Sequence, residues 1–184
     1  MKKIIIGAIV GGLLLMVWQT LSWTILQLHY NGTQYTPKQD TILAMLGSQL
    51  EAEGSYFMPA HPKDASPEVM EKTMKEAIGK PWATVSYHKT LEDNMGMNIV
   101  RGLLVNIVLA WLLCWFLSKM NAPSFSTILF TSLGIGMISF LNGIYTMHIW
   151  FPSFDLNSHL LDHIVSWGLV GLWLGWWWRR GVKA

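Results

Sequence analysis

Charge is scarce in this chain. Of its 184 residues only 13% are Asp, Glu, Lys or Arg, while 52% are hydrophobic; soluble domains carry about 25% charged residues. A net charge of +2 is too small to attract a polyanion, so nucleic acid is not an expected partner. Cysteine is nearly missing as well. The single Cys114 sits inside an apolar run, which excludes a disulfide framework and leaves the thiol a packing role. No H-E-x-x-H, no Ser/His/Asp order, no Gly-rich phosphate loop and no paired-carboxylate signature occurs, so no catalytic residue is assigned.

What the chain has is apolar length. A bilayer core of roughly 30 Å needs about 20 helical residues, and residues 4–28, 97–117, 125–150 and 160–178 each offer a run of about that size. The first follows Lys2 and Lys3 and lacks an A-x-A-like site behind it, which favours an uncleaved anchor over a signal peptide. The expected fold is an α-helical integral membrane protein, a four-helix transmembrane bundle with a small periplasmic α+β insertion between helices 1 and 2. Residues 1–28 form the first crossing, 29–96 the cap, and 97–184 the remaining three crossings and a cytoplasmic tail.

Orientation follows from the basic residues. Lys2, Lys3, Lys119, Arg179, Arg180 and Lys183 fall on one side with no acidic residue among them, and all eleven acidic residues fall on or near the other. Short cytoplasmic segments are enriched in Lys and Arg, so both termini are placed in the cytoplasm and residues 29–96 outside. Indole rings prefer the headgroup region. Trp18, Trp23 and Trp150 therefore read as outer anchors, and Trp176, Trp177 and Trp178 as inner ones. Small residues recur every fourth position, at Gly7 and Gly11, at Gly102, Asn106, Ala110 and Cys114, at Ser132 and Gly136, and at Gly171 and Gly175. Such stripes let helices approach closely.

The outer segment carries two helix starts, Thr36-Pro37 and Ser66-Pro67-Glu68, with Gly79 as a stop. Glu68 with Lys72 and Glu71 with Lys75 stand four apart in the favourable order. Residues 55–58 and 82–88 read as strands. The order is helix, strand, helix, strand.

Three polar constellations remain. His148, Asp155, His159 and His163 gather before and within the last run, and imidazole with carboxylate suits zinc or another divalent metal. Capping and interfacial placement are the plainer account of the same residues. Arg101 and Asp162 lie at similar depth in the second and fourth runs and form a candidate ion pair, with Asn142 near; snorkelling of Arg101 to headgroups is the alternative. No run carries an Asp, Glu or Lys at mid-depth, which argues against a proton-coupled transporter.

The segment Trp18-x-x-x-Ser22-Trp23-x-x-Leu26-x-Leu28-His29, followed by Gly54-x-Tyr56-x-x-Pro59, resembles a family of small uncharacterised bacterial inner-membrane proteins. The chain departs from it at Gln27-Leu28, where the family has Pro-Trp. The resemblance implies four crossings, a bacterial cytoplasmic membrane and a periplasmic cap, and brings no activity or cofactor. Ser22, Trp23 and His29 with Tyr56 and Pro59 are then expected to form a hinge between cap and bundle. Two functions fit: a non-enzymatic accessory or scaffolding subunit that packs against other subunits of a larger inner-membrane complex, such as a respiratory one, or a membrane redox or metal-handling protein binding haem, quinone or a divalent metal at the His148, His159 and His163 face.

Overall fold

The computed structural model describes residues 1–180; Lys183, used above for orientation, lies outside them. In chain order the elements are α1 (Lys2–Thr20) running into a π turn (Leu21–Ile25), a 3-10 turn (Tyr30–Gly32), α2 (Gln39–Gln49), β1 (Gly54–Met58), α3 (Pro67–Ala77), β2 (Ala83–Tyr87), α4 (Met95–Ser118), α5 (Phe125–Ser139) running through a second π turn (Phe140–Tyr145) into α6 (Thr146–Trp150), and α7 (Leu156–Arg179). They divide into two units: Met1–Gln34 with the chain from Asn94 onward, and Tyr35–Asp93.

The first unit is a helical bundle. Three stretches, Lys2–Ile25, Met95–Ser118 and Phe125–Trp150, are long and apolar enough to cross a membrane, as a multi-pass protein requires. Helix α7 equals them in length at 24 residues, but Asn157, Ser158, His159, Asp162 and His163 dilute its first two turns. The helices stay apolar on their outward faces, where Ile5, Ile9, Leu13 and Val17 of α1 and Leu104, Val105 and Val108 of α4 are exposed. Helices apolar all round belong in lipid or in a large core.

Within the bundle α1 packs against both α4 and α7, and α5 packs on α7; α4 and α5 share no comparable contact. The small-residue stripes produce this order, because each meets a partner in the same chain. A Cβ on Gly11 would lie 2.9 Å from Ala110 Cβ, one on Gly12 2.7 Å from the Ile107 backbone, and one on Gly136 2.6 Å from the Trp167 ring. Leu15, Leu113, Cys114, Leu117, Ile128, Trp167, Val170 and Leu174 fill the core so formed.

The end of the bundle that holds the N-terminus is tied by tryptophan and lysine. Lys3 Nζ donates to the carbonyls of Trp178 and Arg180, capping the last turn of α7 with a cation. Trp177 Nε1 donates back to Lys3 O at 3.0 Å, and the Arg180 guanidinium lies 3.5 Å from the Trp176 ring centre, a cation–π contact. Of the expected anchors, Trp177 and Trp178 hold α1 to α7, while Trp176 pairs with Arg180 at the end of α7 itself. Trp150 is 74% exposed.

The second unit keeps the expected order of helix, strand, helix, strand. Strands β1 and β2 pair antiparallel with Tyr56 opposite Val85. The Ser66 side chain accepts from Val69 N and Pro67 opens α3, and its hydrogen bond to Glu68 holds that carboxyl below the usual range. Two expectations shift. Helix α2 begins at Gln39 rather than Pro37, since Thr36 closes a turn by accepting from Lys38 N. Glu71 pairs with Lys75 at 2.6 Å as expected, but Lys72 turns to Glu76 at 3.8 Å instead of Glu68.

Candidate metal centre

The site is built where α1 ends. An α-helix would carry Leu21–Ile25 on with 3.6 residues per turn, but these residues form a π turn, a widened turn that recurs at functional sites. Ser22 becomes fully buried and Trp23 is set beside it. Gln27 then adopts φ 48°, a left-handed conformation uncommon for a residue with a Cβ. The reversal sends His29 back toward the bundle, with Leu28 O held by Ser158 Oγ of α7 at 2.6 Å. Here the structure departs from an apolar helix running to Leu28.

His29 is 1% exposed. Its Nδ1 lies 2.8 Å from Asp155 Oδ2 and its Nε2 2.9 Å from Asp162 Oδ2. The Trp23 indole stacks flat on the imidazole, 4.1 Å between centroids. His159, one turn after Asp155, brings Nε2 to 3.3 Å from the same Asp155 Oδ2. Asp162 is fixed further: Ser22 Oγ donates to its Oδ1 at 2.7 Å and Trp18 Nε1 at 3.0 Å. Burial of two carboxylates is costly unless each is paired and hydrogen-bonded, and here both are.

Two chemistries suit this geometry. With a proton on each ring nitrogen, His29 is an imidazolium bridging two carboxylates. With a metal, His29 Nδ1, Asp155 Oδ2 and His159 Nε2 supply three ligand atoms, all within 4.8 Å of one another. Ligand bonds of about 2.0–2.2 Å in a tetrahedral site set ligand atoms roughly 3.3 Å apart; His159 Nε2 and Asp155 Oδ2 stand at that spacing, whereas the 2.8 Å from His29 Nδ1 to Asp155 Oδ2 is a hydrogen-bond length, so an ion would have to spread that pair. His29 Nε2–H then donates to Asp162, the carboxylate–histidine arrangement that fixes tautomer and ring orientation behind a metal.

The sequence reading had grouped His148, Asp155, His159 and His163. The structure brings together Asp155 and His159 and adds His29. His148 is turned elsewhere, its Nδ1 accepting from Ser153 N at 3.0 Å, because the chain folds back after α6 and uses the imidazole to close that turn. His163 Nδ1 donates to His159 O at 2.7 Å, so this ring stays on its own helix face. The expected Arg101–Asp162 pair does not form. Asp162 faces His29, Ser22 and Trp18, whereas Arg101 is exposed on α4. Of the expected hinge, Ser22, Trp23 and His29 gather around Asp155 and Asp162, while Tyr56 and Pro59 lie in the second unit, where Tyr56 OH donates to Ala52 O at 2.7 Å. Trp18 and Trp23, read as interfacial anchors, are the donor to Asp162 and the lid on His29. The signal in the sequence that points to the site is the spacing Trp18, Ser22, Trp23, His29, whose residues share one surface only once α1 packs on α7.

Comparison with protein-family models, with curated protein sequences and with solved structures finds no match.

Proposed function

We propose that this is a multi-pass protein of the bacterial inner membrane that binds a divalent transition metal ion through His29 Nδ1, Asp155 and His159 Nε2. Its metal face is thereby moved from the His148, His159 and His163 set to one reaching across α1 and α7. The observation that carries the reading is the convergence on one buried point of two imidazoles and a carboxylate from ends of the chain more than a hundred residues apart. Nitrogen-rich mixed sets favour zinc or ferrous iron over calcium or magnesium, which prefer all-oxygen shells. Three protein ligands leave a coordination position open, as in sites that act on a bound molecule. The basic residues argue for cytoplasmic termini, with α7 as a fourth crossing whose polar first turns lie at the outer boundary, which puts the metal near the periplasmic face.

Elemental analysis of the full chain, purified in mild detergent without chelator, tests this. The expected result is about one equivalent of zinc or iron, lost in His29→Ala and retained in His148→Ala. Asp162→Asn should weaken retention about 10–100-fold, as outer carboxylates do. A metal-free protein, or one whose metal content ignores His29→Ala, overturns the proposal.

The accessory-subunit reading has its own support. Gly102 and Gly134 have no atom within 4 Å of a Cβ placed on them, so small-residue surface is left over for a neighbouring membrane helix. A native-gel mass of the monomer alone would count against it.

A further inference from the structure

Next to the metal cluster the bundle holds a cavity of about 290 Å³. His159 and Asp162 form part of its wall, with Trp18, Trp23 and Trp167 as aromatic faces. Its polar lining exceeds what packing needs. Asn106, 4% exposed, donates to Gln19 Oε1 at 2.8 Å, and both amide side chains line the space. His163 donates from Nδ1 to a carbonyl and lines the space as well. Ser166 is 8% exposed and lines the cavity; among the described residues its hydroxyl has no hydrogen-bond partner.

We infer that this cavity is the ligand chamber of the proposed metal centre, and that it takes the head group of a lipid-soluble quinone or quinol. The inference rests on the metal reading for its site and adds the class of molecule. Four observations select that class. The Asp162 carboxylate in the wall repels an anionic head group. Amide groups on the α1 and α4 side and His163 with Ser166 on the α7 side offer hydrogen bonds to oxygens on different edges of one ring. Indole walls favour a flat aromatic body. The volume falls just below the range of about 300–1,000 Å³ typical of drug-sized ligands, which suits a single ring.

Access comes from the helix order. The cavity wall includes Asn106 and Leu109 of α4 and Ser139 of α5, and these two helices do not pack on each other. A gap between them would let the chamber open sideways, toward surroundings that the outward apolar faces mark as lipid. A ligand arriving from the membrane, with its tail left in the gap, fits this opening.

The test uses the full chain in phosphatidylcholine nanodiscs, with decylubiquinone as probe and empty nanodiscs as the partition control. Saturable binding in excess of partition is expected, weakened at least tenfold by Asn106→Leu and by Ser166→Ala, and not displaced by decylbenzene, which lacks oxygens. Binding equal to that of empty nanodiscs, insensitivity to both substitutions, or displacement by decylbenzene overturns the inference. The decylbenzene competition is made on the unaltered protein and decides the matter even where a variant fails to fold. Metal content measured on the same samples separates the two proposals. Metal without saturable quinone binding sinks the chamber alone; saturable binding by a metal-free protein sinks the metal reading alone.

Discussion

The charged residues that matter in this protein are few, and each is held by several neighbours. Asp162 is the clearest case: Trp18, Ser22 and His29 all point to it, so its position is over-determined. Asp155 is held on one side by His29 and His159 and bounded on the other by backbone. A Cβ on Gly32 would come within 2.7 Å of Asp155 Oδ2. Gly32→Ala must therefore push the carboxylate off its ligand position, and retained metal should fall at least tenfold while the helical circular dichroism spectrum is unchanged. Residue types at this site were visible in the chain from the outset, but not their pairing. Asp162 was assigned to Arg101 because depth along a helix can be counted, whereas the face a side chain takes depends on which helix lies opposite.

At the scale of elements, the close contacts between helices rest on glycine. Gly136 admits the Trp167 ring, and Gly12 admits the backbone of Ile107. Overpacking a tight contact costs roughly 1–3 kcal/mol, so Gly136→Ala should lower the thermal midpoint measured in detergent, while Gly102→Ala, with open space around it, should leave it unchanged. The opposite ranking would mean that α5 and α7 do not meet as described. Helical periodicity and small-residue spacing made these stripes legible in advance. The two π turns were not legible, because nothing in Leu-Ser-Trp-Thr-Ile or Phe-Leu-Asn-Gly-Ile-Tyr departs from helical composition. In the first of them Ser22 donates to Asp162, 140 positions away, a bond that no local window contains.

For the whole molecule, the decisive property is which side of the membrane each part faces. Cys114 is fully buried, so a cysteine placed elsewhere can be labelled against a silent background. Ser66→Cys should react with a membrane-impermeant maleimide on intact cells, and Lys183→Cys only after lysis. The same test decides whether α7 crosses: with three crossings the two ends of the chain would lie on opposite sides, and cysteines at Lys2 and Lys183 would then label differently.

Composition and local spacing were sufficient for the helical class, the long apolar stretches and the strand-and-helix order between them, because each depends on neighbours a few residues apart in one chain. The cluster of His29, Asp155 and His159 and the cavity beside it depended on something else. His29 and Asp155 are separated by 126 positions and meet only because α1 packs on α7, Gln27 reverses the chain, and the π turn carries a fully buried Ser22. Such a meeting is set by the sum of many weak packing contacts, and no window of sequence contains it.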